Sequence, residues 1–177
     1  MIITISGKAG SGKSSVAKAL SQKLKLKHYS VGDVMRQMAR EKGIPLLEFN
    51  KLAEKDPAID KELDDRLVKL GKTQKDFVID GRLSAFFIPN ADFRIFLEAD
   101  VKTRAERILN AQRKDEKHAT LKETISNIEK REASEKKRYK QYYDVDYTDK
   151  KLYTDVINTE YLGLQEVVDK IVNITKN

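Results

Sequence analysis

The chain has 177 residues, enough for one compact α/β domain with a sizeable core, and it contains no cysteine. This composition excludes disulfides, a thiol nucleophile and a cysteine zinc site, and it favours the reducing cytoplasm. The formal net charge is +7, and residues 102–143 hold 13 Lys and Arg against 7 Asp and Glu. Such a basic segment indicates a polyanionic ligand, either nucleic acid or nucleotide phosphates, or in part a solvated helix face. Because Met1 leads directly into an apolar strand, we expect neither a signal peptide nor a transmembrane helix.

The first predicted element, residues 2–5, is a short β-rich run that leads into a glycine-rich loop. The loop fits G-x-x-x-x-G-K-[ST], and Val16, Leu20 and Leu24 follow it at helical spacing, which is the context that the motif requires. Glycine lets the main chain curl around phosphates, and a helix N-terminus favours anions. The residues predicted to bind a nucleoside triphosphate are Gly7, Lys8, Ala9, Gly10, Ser11, Gly12, Lys13, Ser14 and Ser15, with Lys13 on the β- and γ-phosphates and Ser14 on Mg²⁺.

Residues 26–30 predict a second strand, in which His28 is expected to be a packing or surface residue. The chain then enters a helix. Ser30 and Arg36 could bind a second anion beside the loop there, although Arg36 could equally be an exposed helix charge. A helical excursion is predicted over residues 33–75.

Within this excursion, Asp56 suits a helix N-cap and Gly71 suits a helix end. Asp60 and Asp64 lie four residues apart and therefore share one face of a helix. Two interpretations of that face are open: a solvated acidic surface, or a site that recognises a base.

Residues 77–80 predict a third strand that ends in an acid, Asp80. An apolar strand with Asp at its carboxyl end is the Walker B arrangement, which holds Mg²⁺ beside a glycine-rich loop. Arg82 follows at the sheet edge where open α/β proteins bind their ligands. We therefore predict Asp80 as a second group of the Mg²⁺ site.

Residues 93–97 predict a fourth strand, and Asp100 then caps a helix that carries Arg104 and Arg107 on one face. A fifth strand is predicted over residues 155–158, followed by an amphipathic helix. Five strands that alternate with helices predict a doubly wound parallel sheet.

Before the last strand, Thr120 and Glu123 form a capping signal for a helix whose second half is almost entirely charged or polar. We expect this helix to stand away from the core. Arg131, Glu135 and Arg138 share one of its faces, where they could close over phosphates or form surface salt bridges. The tyrosines that follow would either stack on nucleic-acid bases or pack against the returning chain.

These pieces together resemble the P-loop nucleoside monophosphate kinases, and among them the compact cytidylate kinases of archaeal type. The segments that carry the resemblance stand in family order and spacing: ISGKAGSGKSSVAKAL, YSVGDVMRQMA, EFNKLAEKDPAIDKELD, VIDGRLSAF, FLEADVKTRAERI and REASEKKRY. The resemblance implies a three-layer α/β/α P-loop NTPase fold with a five-stranded parallel sheet. It divides the chain into a core (1–32, 76–113 and 142–177), a helical NMP-binding insertion (33–75) and a short helical lid (114–141).

The resemblance also implies roles for individual residues. Those expected to bind CMP are Ser30, Asp33, Arg36, Arg82, Arg104 and Glu135, and Asp64 is added as a candidate for the cytosine edge. Those expected to act in catalysis are Lys13, Arg82, Arg131 and Arg138. The groups expected to hold Mg²⁺ are Ser14 and Asp80.

Two features depart from the relatives. Asp80-Gly81-Arg82-Leu83 stands in place of the Asp-Gly-(Phe/Tyr)-Pro-Arg signature of adenylate kinases, and the long insertion of bacterial cytidylate kinases, with its base-reading residues, is absent. The resemblance implies Mg²⁺-dependent transfer from ATP to CMP and dCMP by a cytoplasmic monomer, without nucleic-acid or membrane partners. Another acceptor (UMP, AMP or a small metabolite such as shikimate) and a nucleic-acid-binding ATPase are the alternatives.

Overall fold

The computed structural model describes residues 1–53, 55–111 and 120–176. In this part of the chain, parallel strands form one five-stranded sheet in the order β2-β3-β1-β4-β5. The strands are β1 (Ile2–Gly7), β2 (Lys27–Ser30), β3 (Phe77–Asp80), β4 (Phe93–Glu98) and β5 (Asp155–Asn158). All five agree with the predicted strands to within two residues.

The helices surround this sheet. They are α1 (Lys13–Leu24), α2 (Val31–Glu41), α3 (Leu46–Ala53), α4 (Pro57–Thr73), α5 (Ser84–Phe87), α6 (Val101–Asn110), α7 (Leu121–Tyr143) and α8 (Leu164–Ile174), with a 3₁₀ turn over Lys150–Leu152. Within the described ranges, none of them has the length and apolar character needed to span a bilayer.

The sheet is covered on both faces, because alternate side chains of a strand point to opposite sides. Ile3 and Ile5 of β1 pack with α1 and α8, whereas Ile2 packs with α4 on the other face. The predicted three-layer α/β/α fold is confirmed. The parallel register places Ile5 beside Asp80, so the end of β3 lies next to the start of the glycine-rich loop.

The helical excursion between β2 and β3 has a small apolar core of its own. Its buried residues include Met38, Phe49 and Ile59. The excursion begins two residues earlier than predicted, because α2 starts at Val31 directly after β2. Of the predicted lid over 114–141, residues 114–119 lie outside the described part of the chain.

Helix α4 has a predicted N-cap at Asp56 and a predicted end at Gly71, and the structure agrees with the first and not with the second. Asp56 caps the helix as predicted, since its side chain accepts a 2.9 Å hydrogen bond from the Ala58 N–H. The predicted end at Gly71 is wrong, because α4 continues to Thr73. A Cβ at Gly71 would lie only 3.0 Å from the Ile88 side chain, so this glycine permits close helix packing and does not end the helix.

The polar helix α7 begins at the predicted capping box, in which Thr120 and Glu123 each bond the other's backbone N–H. The prediction that α7 stands away from the core is wrong. Glu135 is buried, and Tyr139 packs edge-on against Tyr147 with ring centroids 5.6 Å apart. The surface that α7 covers is itself charged, so its charged side chains find partners there and the polar sequence forms an interface.

Candidate active site

The glycine-rich loop joins β1 to α1 and curls against α6. Gly10 has φ +77°, and a Cβ there would lie 2.5 Å from the carbonyl oxygen of Arg104, so no side chain fits at this position. Lys13 opens α1 with only 9% of its surface exposed, and its amine donates to the Lys8 carbonyl at 2.9 Å. Burial, reinforced by the positive charge of Arg82, lowers the pKa of Lys13 well below its ordinary value. The loop therefore holds a cation in a desolvated position.

Asp80 at the end of β3 is bonded from two neighbouring elements. The Ser14 hydroxyl on α1 donates to Oδ2 at 2.7 Å, and the Ser30 hydroxyl of β2 donates to the same oxygen at 3.3 Å. His28 Nε2 lies 2.8 Å from the other oxygen, Oδ1. His28 is thus a partly buried residue with a specific hydrogen-bond partner, which its interpretation as a packing or surface residue did not include. The available signal was its position two residues before Ser30, on the same face of the strand.

Glu135 of α7 joins two of the predicted site arginines. One of its oxygens accepts a hydrogen bond from Arg82 Nε, and the other accepts one from Arg131 Nε at 2.9 Å. Burial works to raise the pKa of Glu135, but the two guanidiniums outweigh burial and hold that pKa below its ordinary value. A carboxylate thus lies between two cations that were predicted to bind phosphates.

Arg138, one turn further along α7, faces α4. Its Nε lies 3.8 Å from Asp60 Oδ2, and the nearby Tyr143 hydroxyl donates to Asp64 Oδ2 at 2.5 Å. The interpretation of the Asp60 and Asp64 face as solvated is wrong, because α7 covers it. Burial raises the pKa of both carboxyls, and that of Asp64 reaches about 6.

The tyrosines of α7 do not form an open stacking surface. Tyr139 packs on Tyr147, and Tyr143 packs edge-on against Phe87 with ring centroids 5.3 Å apart. Packing against the returning chain is confirmed for Tyr139, whereas Tyr143 packs on α5 and Tyr142 is 38% exposed.

The residues predicted for the acceptor on α2 are Asp33 and Arg36, which lie in the first two turns of the helix. Arg36 pairs with Asp33 one turn before it, and both side chains are largely exposed. A Cβ at Gly32 would lie 3.6 Å from both the Arg36 guanidinium and the Ser30 hydroxyl. Arg36 therefore folds back beside Ser30, which itself bonds Asp80.

Arg104 lies beneath the glycine-rich loop, with 3% of its surface exposed. It donates to the carbonyls of Ala9 at 3.0 Å and Ala99 at 3.1 Å and pairs with Glu132 of α7. Glu132 also lies 3.6 Å from the Lys8 amine, so α7 is tied to the loop. The expected contact between Arg104 and the acceptor phosphate stays a prediction.

A cavity of about 290 Å³ opens beside the loop, between α1, α6 and the segment after β5. Ser15, Ile108 and Leu162 are among its lining residues. Arg107 closes one wall, because it donates to the Thr159 hydroxyl at 2.9 Å and to the Thr159 carbonyl. No local pattern of the sequence predicts this cavity, since Arg107 and Thr159 are 52 residues apart.

Four features together define a P-loop phosphotransferase. They are the parallel sheet, the glycine-rich loop between β1 and α1, the acid at the end of the adjacent strand and the helix that carries the arginines. The sequence profile of the cytidylate kinase-like family matches residues 2–161. The chain belongs to this family, which confirms the resemblance, and it is a phosphotransferase of the nucleoside monophosphate kinase class.

Individual relatives agree with this assignment. A protein named cytidylate kinase from Halorubrum lacusprofundi is 43% identical over 173 residues, which cover 97% of this chain and 88% of the relative. A protein of the same name from Methanosphaera stadtmanae is 42% identical over 177 residues, covering 100% of this chain and 99% of the relative. The solved shikimate kinase from Bacteroides thetaiotaomicron covers 100% of this chain and 99% of its own, with a TM-score of 0.71 at 12% identity, and this likeness shows the fold alone.

Proposed function

We propose that the protein is a cytidylate kinase, which transfers the γ-phosphoryl group of ATP to CMP, and to dCMP, to give ADP and the nucleoside diphosphate. The observation that carries this proposal is the family match over residues 2–161, because it includes the phosphate-binding loop and all of the predicted acceptor and lid residues. The two relatives that match nearly all of this chain are both named cytidylate kinase.

The donor phosphates would lie in the loop, on the backbone N–H groups at the start of α1. Lys13 supports this placement, since its lowered pKa marks a buried cation that lacks full compensation. A polyphosphate would supply the missing negative charge, and the β- and γ-phosphates are the expected partners of the amine.

The oxygen atoms of Ser14 and Asp80 suit Mg²⁺, because this ion prefers oxygen ligands. Mg²⁺ is usually held by one or two protein groups, and phosphate and water fill its other positions. Ser14 donates its single hydrogen to Asp80, so the lone pairs of its oxygen are free to bind a cation. Asp80 supplies the negative charge behind it. When bound, the ion would neutralise charge on the transferring phosphates.

The cavity beside the loop is the proposed site of the ATP base. It adjoins the loop through Ser15 and combines an apolar wall at Ile108 and Leu162 with the guanidinium of Arg107. A purine fits such a site because its flat face packs on apolar groups and on a guanidinium plane.

The acceptor would lie on the other side of the loop, where Arg36 and Arg82 are the proposed partners of its phosphate. Glu135 now lies between Arg82 and Arg131, and the remaining N–H groups of these guanidiniums are the proposed donors to phosphate. Asp64 is the proposed contact for the cytosine edge.

The chemistry needs positioning more than proton transfer. The phosphate of CMP is already ionised, so its oxygen attacks the γ-phosphorus of ATP directly while the bond to the β–γ bridging oxygen breaks and ADP leaves. The obstacle is the repulsion between two polyanions, and Lys13, Arg82 and Arg131 would offset it. Arg138 is proposed to join them, which requires it to leave Asp60.

Helix α7 would also exclude water, which otherwise competes as acceptor. It is tied to the loop through Glu132 and to α4 through Tyr143. The proposed lid therefore contacts the donor and acceptor sides of the site at once. A cytoplasmic monomer is part of the same proposal.

The deciding experiment is a panel of acceptors in a coupled assay of ADP release. CMP, dCMP, UMP, AMP and shikimate would be compared at fixed Mg-ATP, and we expect the highest kcat/KM for CMP with dCMP close to it. A clear preference for another acceptor contradicts the proposal. ATP hydrolysis that needs no acceptor and rises with added RNA would instead favour a nucleic-acid-dependent ATPase, and steep salt dependence should accompany it.

A further inference from the structure

His28 contacts the carboxylate that completes the proposed Mg²⁺ site, and the proposed reaction gives it no role so far. We propose that His28 is a positioning residue, which fixes the orientation of Asp80 so that Ser14 presents its oxygen to Mg²⁺. This inference rests on the proposed function of Ser14 and Asp80 as the metal site.

The register of the sheet brings His28 to this place. In the parallel pair β2–β3, His28 lies opposite Val78 and Ser30 lies opposite Asp80. Residues two apart on a strand share a face, and paired residues of neighbouring strands point the same way. His28 and Asp80 therefore project to the face of the sheet that α1 covers. Ser14 lies on α1, and its hydroxyl donates to Asp80.

The hydrogen bonds hold both oxygens of the carboxylate. An ionised carboxylate can only accept, so the Nε2 nitrogen of His28 must carry the hydrogen that faces Oδ1 at 2.8 Å. Oδ2 accepts from Ser14 and Ser30. Rotation of an aspartate about its Cβ–Cγ bond is otherwise weakly restricted, and donors on both oxygens remove that freedom.

His28 also shields the carboxylate from solvent. The Asp80 side chain is 5% exposed and that of His28 is 23% exposed, so the imidazole covers Asp80 at the sheet edge formed by β2. Among the described residues, His28 is the side chain that bonds Oδ1. Its removal would leave a buried carboxylate oxygen without a donor, and the carboxylate would turn towards another partner.

The consequence falls on Ser14. If Asp80 turns, the Ser14 hydroxyl loses its acceptor and its lone pairs no longer have a fixed direction. Outer partners of metal-site ligands act in this way, and their loss costs about 10- to 100-fold in metal affinity or activity. We expect His28 to affect the Mg²⁺-dependent part of nucleotide binding and to leave the metal-free part unchanged.

The test compares His28→Leu, which cannot donate, with His28→Gln, whose amide reaches about as far as Nε2 and can donate. Titration calorimetry would measure the Kd of ADP with Mg²⁺ and with EDTA. We expect His28→Leu to weaken Mg-ADP about 10-fold and metal-free ADP less than about twofold, and His28→Gln to recover most of the loss. Lys27→Gln, an exposed change on the same strand, is the matched control.

Asp80→Asn, measured in parallel, separates the two proposals. If Asp80→Asn abolishes the Mg²⁺ effect while His28→Leu behaves like the wild type, the role of His28 is overturned and the metal site stands. If Asp80→Asn leaves the Mg²⁺ effect intact, both are overturned. Equal losses with and without Mg²⁺ in His28→Leu also overturn the proposal.

A measurement on the unaltered protein remains decisive even if His28→Leu does not fold. Nitrogen NMR of the imidazole should show a hydrogen fixed on Nε2, with slow exchange of that hydrogen, in the metal-free protein. A rapidly exchanging mixture of tautomers at His28 would overturn the assignment.

Discussion

The hydroxyl of Tyr143 on α7 donates a 2.5 Å hydrogen bond to Asp64 on α4, and this contact joins the proposed lid to the proposed acceptor-binding insertion. Burial raises the pKa of Asp64 to about 6, although the Tyr143 hydrogen bond acts in the opposite direction. Burial and the neighbouring Asp64 also raise the pKa of Tyr143, so the hydroxyl keeps its hydrogen and acts as the donor. The ionisation of Asp64 is therefore linked to the contact between α7 and α4.

Replacing Asp64 by Asn should flatten the pH dependence of stability. The ordinary pKa is 3.8 and the folded one is about 6, so the folded protein holds a proton that the unfolded chain releases between these values. The stability contribution is full below about pH 4 and is lost as the pH rises through about 6. As the pH rises over this range, the unfolding free energy of the wild type should fall by about 1 kcal/mol more than that of Asp64→Asn. This figure is smaller than the full pKa shift implies, because part of the side chain is exposed to solvent.

Urea unfolding at several pH values between 4 and 8 measures this difference. Asp65→Asn is the matched control, because Asp65 is exposed on the same helix. For each variant, the difference from wild type in unfolding free energy is plotted against pH. If the plot for Asp64→Asn is no steeper than that for Asp65→Asn, the link between burial and ionisation at Asp64 is contradicted.

Lys13→Ala should abolish phosphoryl transfer with little loss of folding stability. The amine is the buried cation of the loop, so kcat should fall by at least about 10³-fold without it. The midpoint of thermal unfolding should stay within about 3 °C, since removal of a desolvated charge relieves the cost of burying it. Lys18→Ala, on the exposed face of the same helix, should change neither quantity. Turnover retained in Lys13→Ala would count heavily against the proposed mechanism.

Arg82→Ala should impair the use of the acceptor far more than the binding of ATP. Arg82 faces Glu135 on the acceptor side, so we expect kcat/KM for CMP to fall about 10²- to 10³-fold. The KM for ATP should change less than about threefold. Arg66→Ala removes an arginine that is paired with Glu41 and Glu62 on the exterior, and it serves as the control for lost charge.

Steady-state kinetics with each substrate varied in turn would measure these constants. Thermal unfolding is needed beside them. Of its two arginine partners among the described residues, Glu135 keeps Arg131 in the variant, so the protein should lose stability. Unchanged kcat and KM for CMP would remove the assignment of Arg82 to the acceptor.

Ser15→Leu should test the proposed site of the ATP base. Ser15 lines the cavity at the start of α1, and a leucine there would fill part of the 290 Å³ without removing a helix contact. We expect the Kd of ADP to rise about 10-fold, whereas inhibition by inorganic tripolyphosphate, which has no base, should change little.

Lys18→Leu adds the same side chain one turn further along α1, on an exposed position, and should leave both ligands unaffected. Equal losses for ADP and tripolyphosphate in Ser15→Leu would mean that the substitution disturbs the phosphate loop. Unchanged ADP binding would place the base elsewhere.

Local signals predicted much of this protein correctly. The loop between β1 and α1, the five strands, the cap at Asp56 and the capping box at Thr120 each depend on residues within a few positions of one another. Backbone conformation and cap hydrogen bonds are set over such short distances, so the sequence pattern is sufficient. The position and spacing of the arginines indicated them as anion-binding candidates, and the family resemblance added the role expected of each.

Tertiary structure decided the remainder. The contact of His28 with Asp80, the burial of Glu135 between Arg82 and Arg131, and the cavity closed by Arg107 and Thr159 all join residues that are far apart in sequence. Gly71 is an example of a local rule overruled, because the neighbouring Ile88 explains the glycine better than a helix end does. The sequence by itself determined which elements form and where the phosphate loop lies. Only the packing of those elements decided which charges are buried together, because burial and pairing depend on neighbours that the chain supplies from a distance.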